Sequence, residues 1–175
     1  VIQASEDFRC IVLAPAALRS ASLTIAAARA GAIGVLDLEF AESEKDVLDT
    51  FRALLDGTKG PVGVRVADAG DDLVSAILER VAEREHWVIV PAAGAIPVAE
   101  RQAMWPRSKR RTCIAEITDA SQLQANLKGA SVNSLLVKGN ETGGWGGEDT
   151  AFILLQKLLG QVNLPVFVQG VAGSH

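Results

Sequence analysis

The feature that most limits the fold of this chain is a repeated alternation between short, continuously apolar runs and helical patterns. The runs are CIVLAP from Cys10, GVLDLEF from Gly34, PVGVRVA from Pro61, HWVIVPA from His86, TCIAEIT from Thr112, SLLVKG from Ser134 and LPVFVQG from Leu164. Each is the length of a strand, and each is apolar throughout rather than at every second position. That pattern suits strands covered on both faces. Between them, Val47, Leu48, Phe51, Leu54 and Leu55 share one helical face. Leu73, Val74, Ile77, Leu78 and Val81 share another, and Leu155, Leu158 and Leu159 a third. Asp119 followed by Gln122 has the spacing of a capping box, and Gly160 and Pro165 punctuate the exit of the last helix. Strands joined by helix-length connections predict a parallel sheet, because a parallel crossover is too long for a tight turn.

Two architectures satisfy this order: an open doubly wound α/β sheet and a (β/α)8 TIM barrel. A full barrel takes eight strands and about 250 residues. This sequence has seven strand-like runs in 175 residues and stops just after the seventh. A buried parallel strand with no following helix points to a barrel truncated to about seven βα units. Residues 1–175 are expected to form one such domain, since no linker or low-complexity segment divides them.

Composition narrows the function. A net charge of −4 argues against nucleic acid, which calls for a basic face. No apolar run approaches the roughly 20 residues of a membrane span, and VIQASEDFRC has acids where a secretory leader has bases. Cytoplasm is the expected location. Cys10 and Cys113 both lie in strand-like runs and are expected to be buried free thiols, with a bridge as the alternative. No His, Cys and Asp cluster has metal-ligand spacing, so no metal is expected.

In either architecture the ligand sits at the carboxyl ends of the strands. Those ends carry Ala14, Pro15 and Ala16; Asp37 and Glu39; Arg65; Pro91; Glu116; Lys138; and Gln169, Gly170 and Gly173. Charges interrupt the apolar runs only there. Glu39 and Arg65 lie on neighbouring strands, as do Glu116 and Lys138, so the pairs could neutralise each other, contact a planar polar ligand, or do both. After Lys138 comes GNETGGWGG, with five glycines in nine residues. Glycine tolerates positive φ and lets a ligand approach the main chain. The loop has neither a dinucleotide fingerprint nor the Lys-Ser/Thr of a P-loop. His86 and the basic run Arg107 to Arg111 precede strands, at the opposite end, and read as structural and solvated respectively.

LLVKGNETGGWGG, followed by LPVFVQGVAG, resembles the nitronate monooxygenase (2-nitropropane dioxygenase-like) family, which includes the FMN-dependent enoyl-acyl carrier protein reductases. IVLAPAAL is similar to the family's first strand, AAARAGAIGVLDL to the helix and strand after it, and TCIAEITDASQLQANLKGASVNSLLVKG to strands five and six. VKG with GEDTAFILLQKLL looks most like the members fused to polyketide or polyunsaturated fatty-acid synthases. The resemblance implies a TIM barrel with FMN across its strand ends. Ala14, Pro15 and Ala16 would lie against the ring. Arg65, Glu116 and Lys138 would meet its polar edge, with Gly143 and Gly144 beside the ligand. Gln169, Gly170 and Gly173 would approach the ribityl phosphate.

The reaction implied is hydride transfer, with NAD(P)H as electron donor and a small molecule or acyl thioester as substrate. Trp145, Lys138 and Glu116 would stand nearest the chemistry, and the other domains of a synthase would be partners. Trp145 replaces the family's histidine, and an indole cannot accept a proton. Gly170-Val171-Ala172-Gly173 replaces Gly-Gly-Ile-Gly. The alternative these departures raise is a flavin-free barrel serving as a scaffold or docking module.

Overall fold

The computed structural model describes residues 9–15, 18–66 and 71–170. They form seven strands alternating with six helices: β1 Ile11–Pro15, α1 Ser22–Arg29, β2 Ile33–Asp37, α2 Glu44–Gly57, β3 Val62–Arg65, α3 Asp71–Arg80, β4 His86–Pro91, α4 Val98–Ala103, β5 Arg111–Ile117, α5 Gln122–Asn126, β6 Ser134–Lys138, α6 Ala151–Leu158 and β7 Val166–Gln169. The strands form one sheet in the order β1-β2-β3-β4-β5-β6-β7, every pair parallel. Sequential order excludes the doubly wound alternative, in which the winding reverses at a switch point.

The register is staggered as barrel closure requires. One row of partners runs from Pro15, the last residue of β1, through Asp37, Arg65, Ile89 and Ile114 to Ser134, the first residue of β6. Curvature follows from two contacts. The rings of Trp87 on β4 and Phe167 on β7 meet edge to face with centroids 6.3 Å apart. Three strand spacings in a flat sheet would hold those backbones about 14 Å apart. Trp145 N–H, beyond β6, donates to Glu39 Oε1, beyond β2, at 3.0 Å, where four flat spacings would be about 19 Å. The sheet therefore curls into the larger part of a (β/α)8 barrel.

Alternation along each strand divides the apolar residues between two cores. The larger lies between sheet and helices, and includes Leu36, Val64, Val88, Ala115, Leu135 and Val137 from the strands and Phe51, Leu54, Ile77, Leu154 and Leu158 from the helices. The smaller lies inside the curl and consists of Ile33, Val35, Trp87, Ile89, Ile114 and Leu136, with Ile11, Leu13 and Phe167 partly buried against it. Continuous apolar strands are needed because both faces are covered. The helix starts follow side-chain chemistry. Ser43 Oγ accepts from Asp46 N–H at 3.3 Å to begin α2, and Thr150 Oγ1 accepts from Ile153 N–H at 3.4 Å to begin α6. Gln122 Oε1 reaches back to the N–H groups of Thr118 and Asp119, the return half of the expected capping box. The Asp119 carboxylate turns instead to Ser121.

Cys113 is buried and free, as expected, but Cys10 is exposed, because it lies just before β1. Among the described residues β1 and β7 each lack a second neighbour, and a cavity of about 900 Å³ opens between them, lined by Ile11, Leu13, Trp87, Leu136 and Phe167. No helix among the described residues is long and apolar enough to cross a membrane.

Candidate functional site

Inward-facing positions at the carboxyl ends of β2, β3, β5, β6 and β7 are Asp37, Arg65, Glu116, Lys138 and Gln169. The curl brings the first three, with Glu39 from the β2 exit, onto one guanidinium. Arg65 is 2% exposed and Glu116 2%. Glu116 takes Arg65 in the fork-to-fork manner, Nη2 to Oε1 at 2.6 Å and Nε to Oε2. Arg65 Nη1 donates to Asp37 Oδ1 at 3.0 Å and to Glu39 Oε2 at 2.8 Å. Four of the five N–H groups of a guanidinium are thereby used, leaving one on Nη2. Burial pulls the Arg65 pKa down, but Glu116 and then Asp37 outweigh it and hold it above its ordinary value. Three carboxylates against one guanidinium leave this end of the barrel with excess negative charge.

The glycine loop closes over this cluster. Gly144 has φ +78°, and a Cβ there would collide with the Glu39 carboxylate. A Cβ at Gly147 would collide with the Thr118 carbonyl. These two glycines let the main chain lie directly on the β2 and β5 exits, and the Glu39 carboxylate then accepts the Trp145 N–H. Beneath the loop is a cavity of about 250 Å³ lined by Glu39, Arg65, Pro91, Glu116, Thr118 and Trp145. Thr118 Oγ1 accepts from Gln122 Nε2 at 2.9 Å, which frees its own proton to donate into the cavity.

The expected Glu116–Lys138 pair does not form, because Glu116 is committed to Arg65. Lys138, 1% exposed, has no hydrogen-bond or ion-pair partner among the described residues. Its register partner, Gln169, carries a buried Oε1 that also lacks a partner. At the start of α6, Ala151 N–H is taken by both oxygens of Glu141, at 3.0 and 3.2 Å, and a Cβ on Gly170 would meet that carboxylate.

Of the residues expected to form the site, Glu116, Arg65 and Trp145 line the one cavity. Gly144 packs on its wall through Glu39, and a Cβ on Gly143 would meet nothing within 4 Å. Lys138 and Gln169 are register neighbours outside its lining, and Gln169 lines the larger cavity inside the curl. Pro15 is exposed at the end of β1 and faces inward with Leu13. Ala14 is 1% exposed on the opposite face, so it offers main chain rather than side chain. Ala16 and Gly173 lie outside the described residues. Sequence reasoning missed Glu141, Thr118 and Phe40. Phe40 holds φ +61° and is 63% exposed.

No family model matches the chain, and no curated protein does. Solved structures do. FabK from Thermotoga maritima superposes with a TM-score of 0.71 at 23% identity, over 91% of this chain and 50% of that one. A mutant of the same protein gives 0.69 at 24% identity, over 91% and 53%. Nitroalkane oxidase from Streptomyces ansochromogenes gives 0.67 at 20% identity, over 90% and 57%. The fold is theirs. This chain spans about half the length of the structures it matches, and its seven strands are consecutive βα units of a TIM barrel.

Proposed function

We propose that the chain is an FMN-dependent oxidoreductase domain of the nitronate monooxygenase and enoyl reductase kind, working within a polyketide or fatty-acid synthase in the cytoplasm. One observation carries the reading. The buried Gln169 Oε1 is without a hydrogen-bond partner at the carboxyl end of β7, and its register neighbour is the buried Lys138. Buried polar groups are normally paired, so the Gln169 Oε1 calls for a donor, and the two neighbours together suit a flat ring bearing an N–H for Gln169 and an acceptor for Lys138. An isoalloxazine edge has both.

The residues at the β6 and β7 exits suit the edge of the ring. Lys138 and Gln169 would hold the ring edge, the Gly143–Gly144 main chain would lie beside the ligand, and Trp145 would screen the cavity from water. FMN, when bound, would supply two-electron chemistry between NAD(P)H and a conjugated acyl thioester. Arg65 fixes Glu116, Asp37 and Glu39 in place, and Thr118 and the spare Arg65 N–H would offer two donors to a substrate oxygen in the cavity they line. Trp145 takes no proton, so abstraction of a proton from a nitroalkane has no base at that position.

Purified protein titrated with FMN provides the test. Saturable perturbation of the flavin spectrum, weakened at least tenfold by Lys138→Met and by Gln169→Leu, supports the reading. A wild-type protein that leaves the spectrum unchanged overturns it in favour of the second reading, a flavin-free scaffold or docking module in the same kind of synthase. The Trp145 substitution favours that second reading.

A further inference from the structure

The glycine loop is anchored at its base and nearly unattached at its tip. At the base, Asn140 N–H donates to the Asp149 carbonyl at 2.9 Å, and Asn140 Nδ2 donates to the Glu148 carbonyl at 2.7 Å. Thr142 gives its N–H and its hydroxyl to the Gly139 carbonyl, at 3.2 and 2.8 Å. The Glu141 carboxylate holds Ala151 N–H at the start of α6. These bonds tie the two arms of the loop together and leave Gly143, Gly144, Trp145, Gly146 and Gly147 beyond them. Among the described residues the tip makes one hydrogen bond, from Trp145 N–H to Glu39 Oε1 at 3.0 Å. It adds nothing to either apolar core, and Trp145 is 71% exposed.

Two opposing effects act on this tip. Glycine loses more conformational freedom than any other residue when it is fixed, and four of the five tip residues are glycine. A single charge-assisted bond opposes that loss. Segments with few buried apolar contacts are the ones that open locally in a native protein, and lids are drawn from them. The closed position is still a defined one. A Cβ on Gly147 would collide with the Thr118 carbonyl, and a Cβ on Gly144 with the Glu39 carboxylate. Glu39 gives the tip a rigid post, because its Oε2 accepts from the buried Arg65 at 2.8 Å. Trp145 and Gly146 line the cavity of about 250 Å³ together with Arg65, Glu116 and Thr118.

We infer that residues 143–147 form a flap that opens and closes this cavity, hinged where Asn140 meets Asp149 and latched by Glu39. Release of the Trp145 amide admits a molecule to Arg65, Glu116 and Thr118. Such a flap controls access, and it operates whether or not the cavity serves FMN.

A thiol placed under the flap reports its opening. In the full chain carrying Cys10→Ser, the substitution Thr118→Cys puts a sulfhydryl in the cavity wall, while the buried Cys113 reports opening of the whole barrel. Labelling by N-ethylmaleimide is followed by mass spectrometry. The introduced thiol should react at least tenfold more slowly than in the urea-unfolded chain. Glu39→Ala removes the charge-assisted bond and should speed the reaction at least tenfold, with Cys113 still unlabelled. Gly147→Ala leaves the Glu39–Arg65 contact in place but denies the tip its closed position, and should speed the reaction at least tenfold as well. Reaction at the unfolded rate with the flap unaltered, slow reaction that survives either variant, or labelling of Cys113 in step with the introduced thiol would overturn the inference.

Discussion

Replacing Arg65 with methionine removes the cation on which three strand ends converge. The side chain lost is 2% exposed, and it leaves behind Glu116 at 2% and Glu39 at 6%, with Asp37 beside them. Two consequences add. Each carboxylate loses its charge-assisted bonds, and three like charges now face one another in a space from which water is largely excluded. Breaking a buried ion pair from one side costs about 3–5 kcal/mol. At roughly 2–4 °C per kcal/mol for a domain of this size, the midpoint of thermal unfolding should fall by about 6–20 °C. The assay is thermal and urea unfolding followed by circular dichroism, with Arg65→Met compared against wild type. Arg65→Met combined with Glu116→Met removes one orphaned charge and refills the space, so it should recover part of the loss. Were these contacts worth only what surface ion pairs are worth, about 0–1 kcal/mol, the midpoint would move by less than about 4 °C. That result, or a double variant less stable than the single one, would refute the claim that the strand tips form one desolvated cluster.

His86, at the other end of β4, provides a pH test. Burial lowers its pKa from the ordinary value of 6.5, and the charge of Arg111 lowers it further against an opposing bond to the Arg84 carbonyl. The unfolded chain therefore binds the proton more readily. The His86 contribution to stability is present above the unfolded pKa and is lost as pH falls through and below about 6.5. Unfolding midpoints across this range should drop more steeply for wild type than for His86→Gln, and parallel curves would contradict the assignment. The two thiols should also separate. Cys10 is exposed, whereas Cys113 is buried, with its pKa pushed up by burial. A thiol reagent should modify one cysteine in the native protein and the second only on unfolding; prompt modification of both would exclude the buried placement.

Much of this fold was legible in the sequence because its determinants are local. Seven apolar runs and the faces carrying Phe51, Leu54, Ile77 and Leu78 need only periodicity to be recognised, and each became the expected strand or helix. The choice between the two α/β architectures depends on strand order, which periodicity does not encode. The contents of the mouth were legible as a list but not as a set of pairings. Glu116 and Lys138 are neighbours in strand order, yet the guanidinium of Arg65 reaches across from β3 with a planar fork and takes Glu116 instead. That outcome depends on curvature and side-chain length. Glu141 reads as a polar loop residue, and only the packed structure places its carboxylate on the first turn of α6. Phe40 looked like the end of a strand. Its left-handed turn had no glycine or asparagine to announce it.

The account rests on strand exits four positions apart in the sheet meeting over one cavity. Amide hydrogen exchange at Trp145, measured by NMR, tests this directly, because the residue sits in an exposed loop whose N–H is held by Glu39 from the far side. The Trp145 amide should be protected in wild type and should exchange at the rate of an open loop in Glu39→Ala, with the core amides of β4 and β5 unchanged. Free exchange in the wild-type protein, or protection that survives Glu39→Ala, would contradict it.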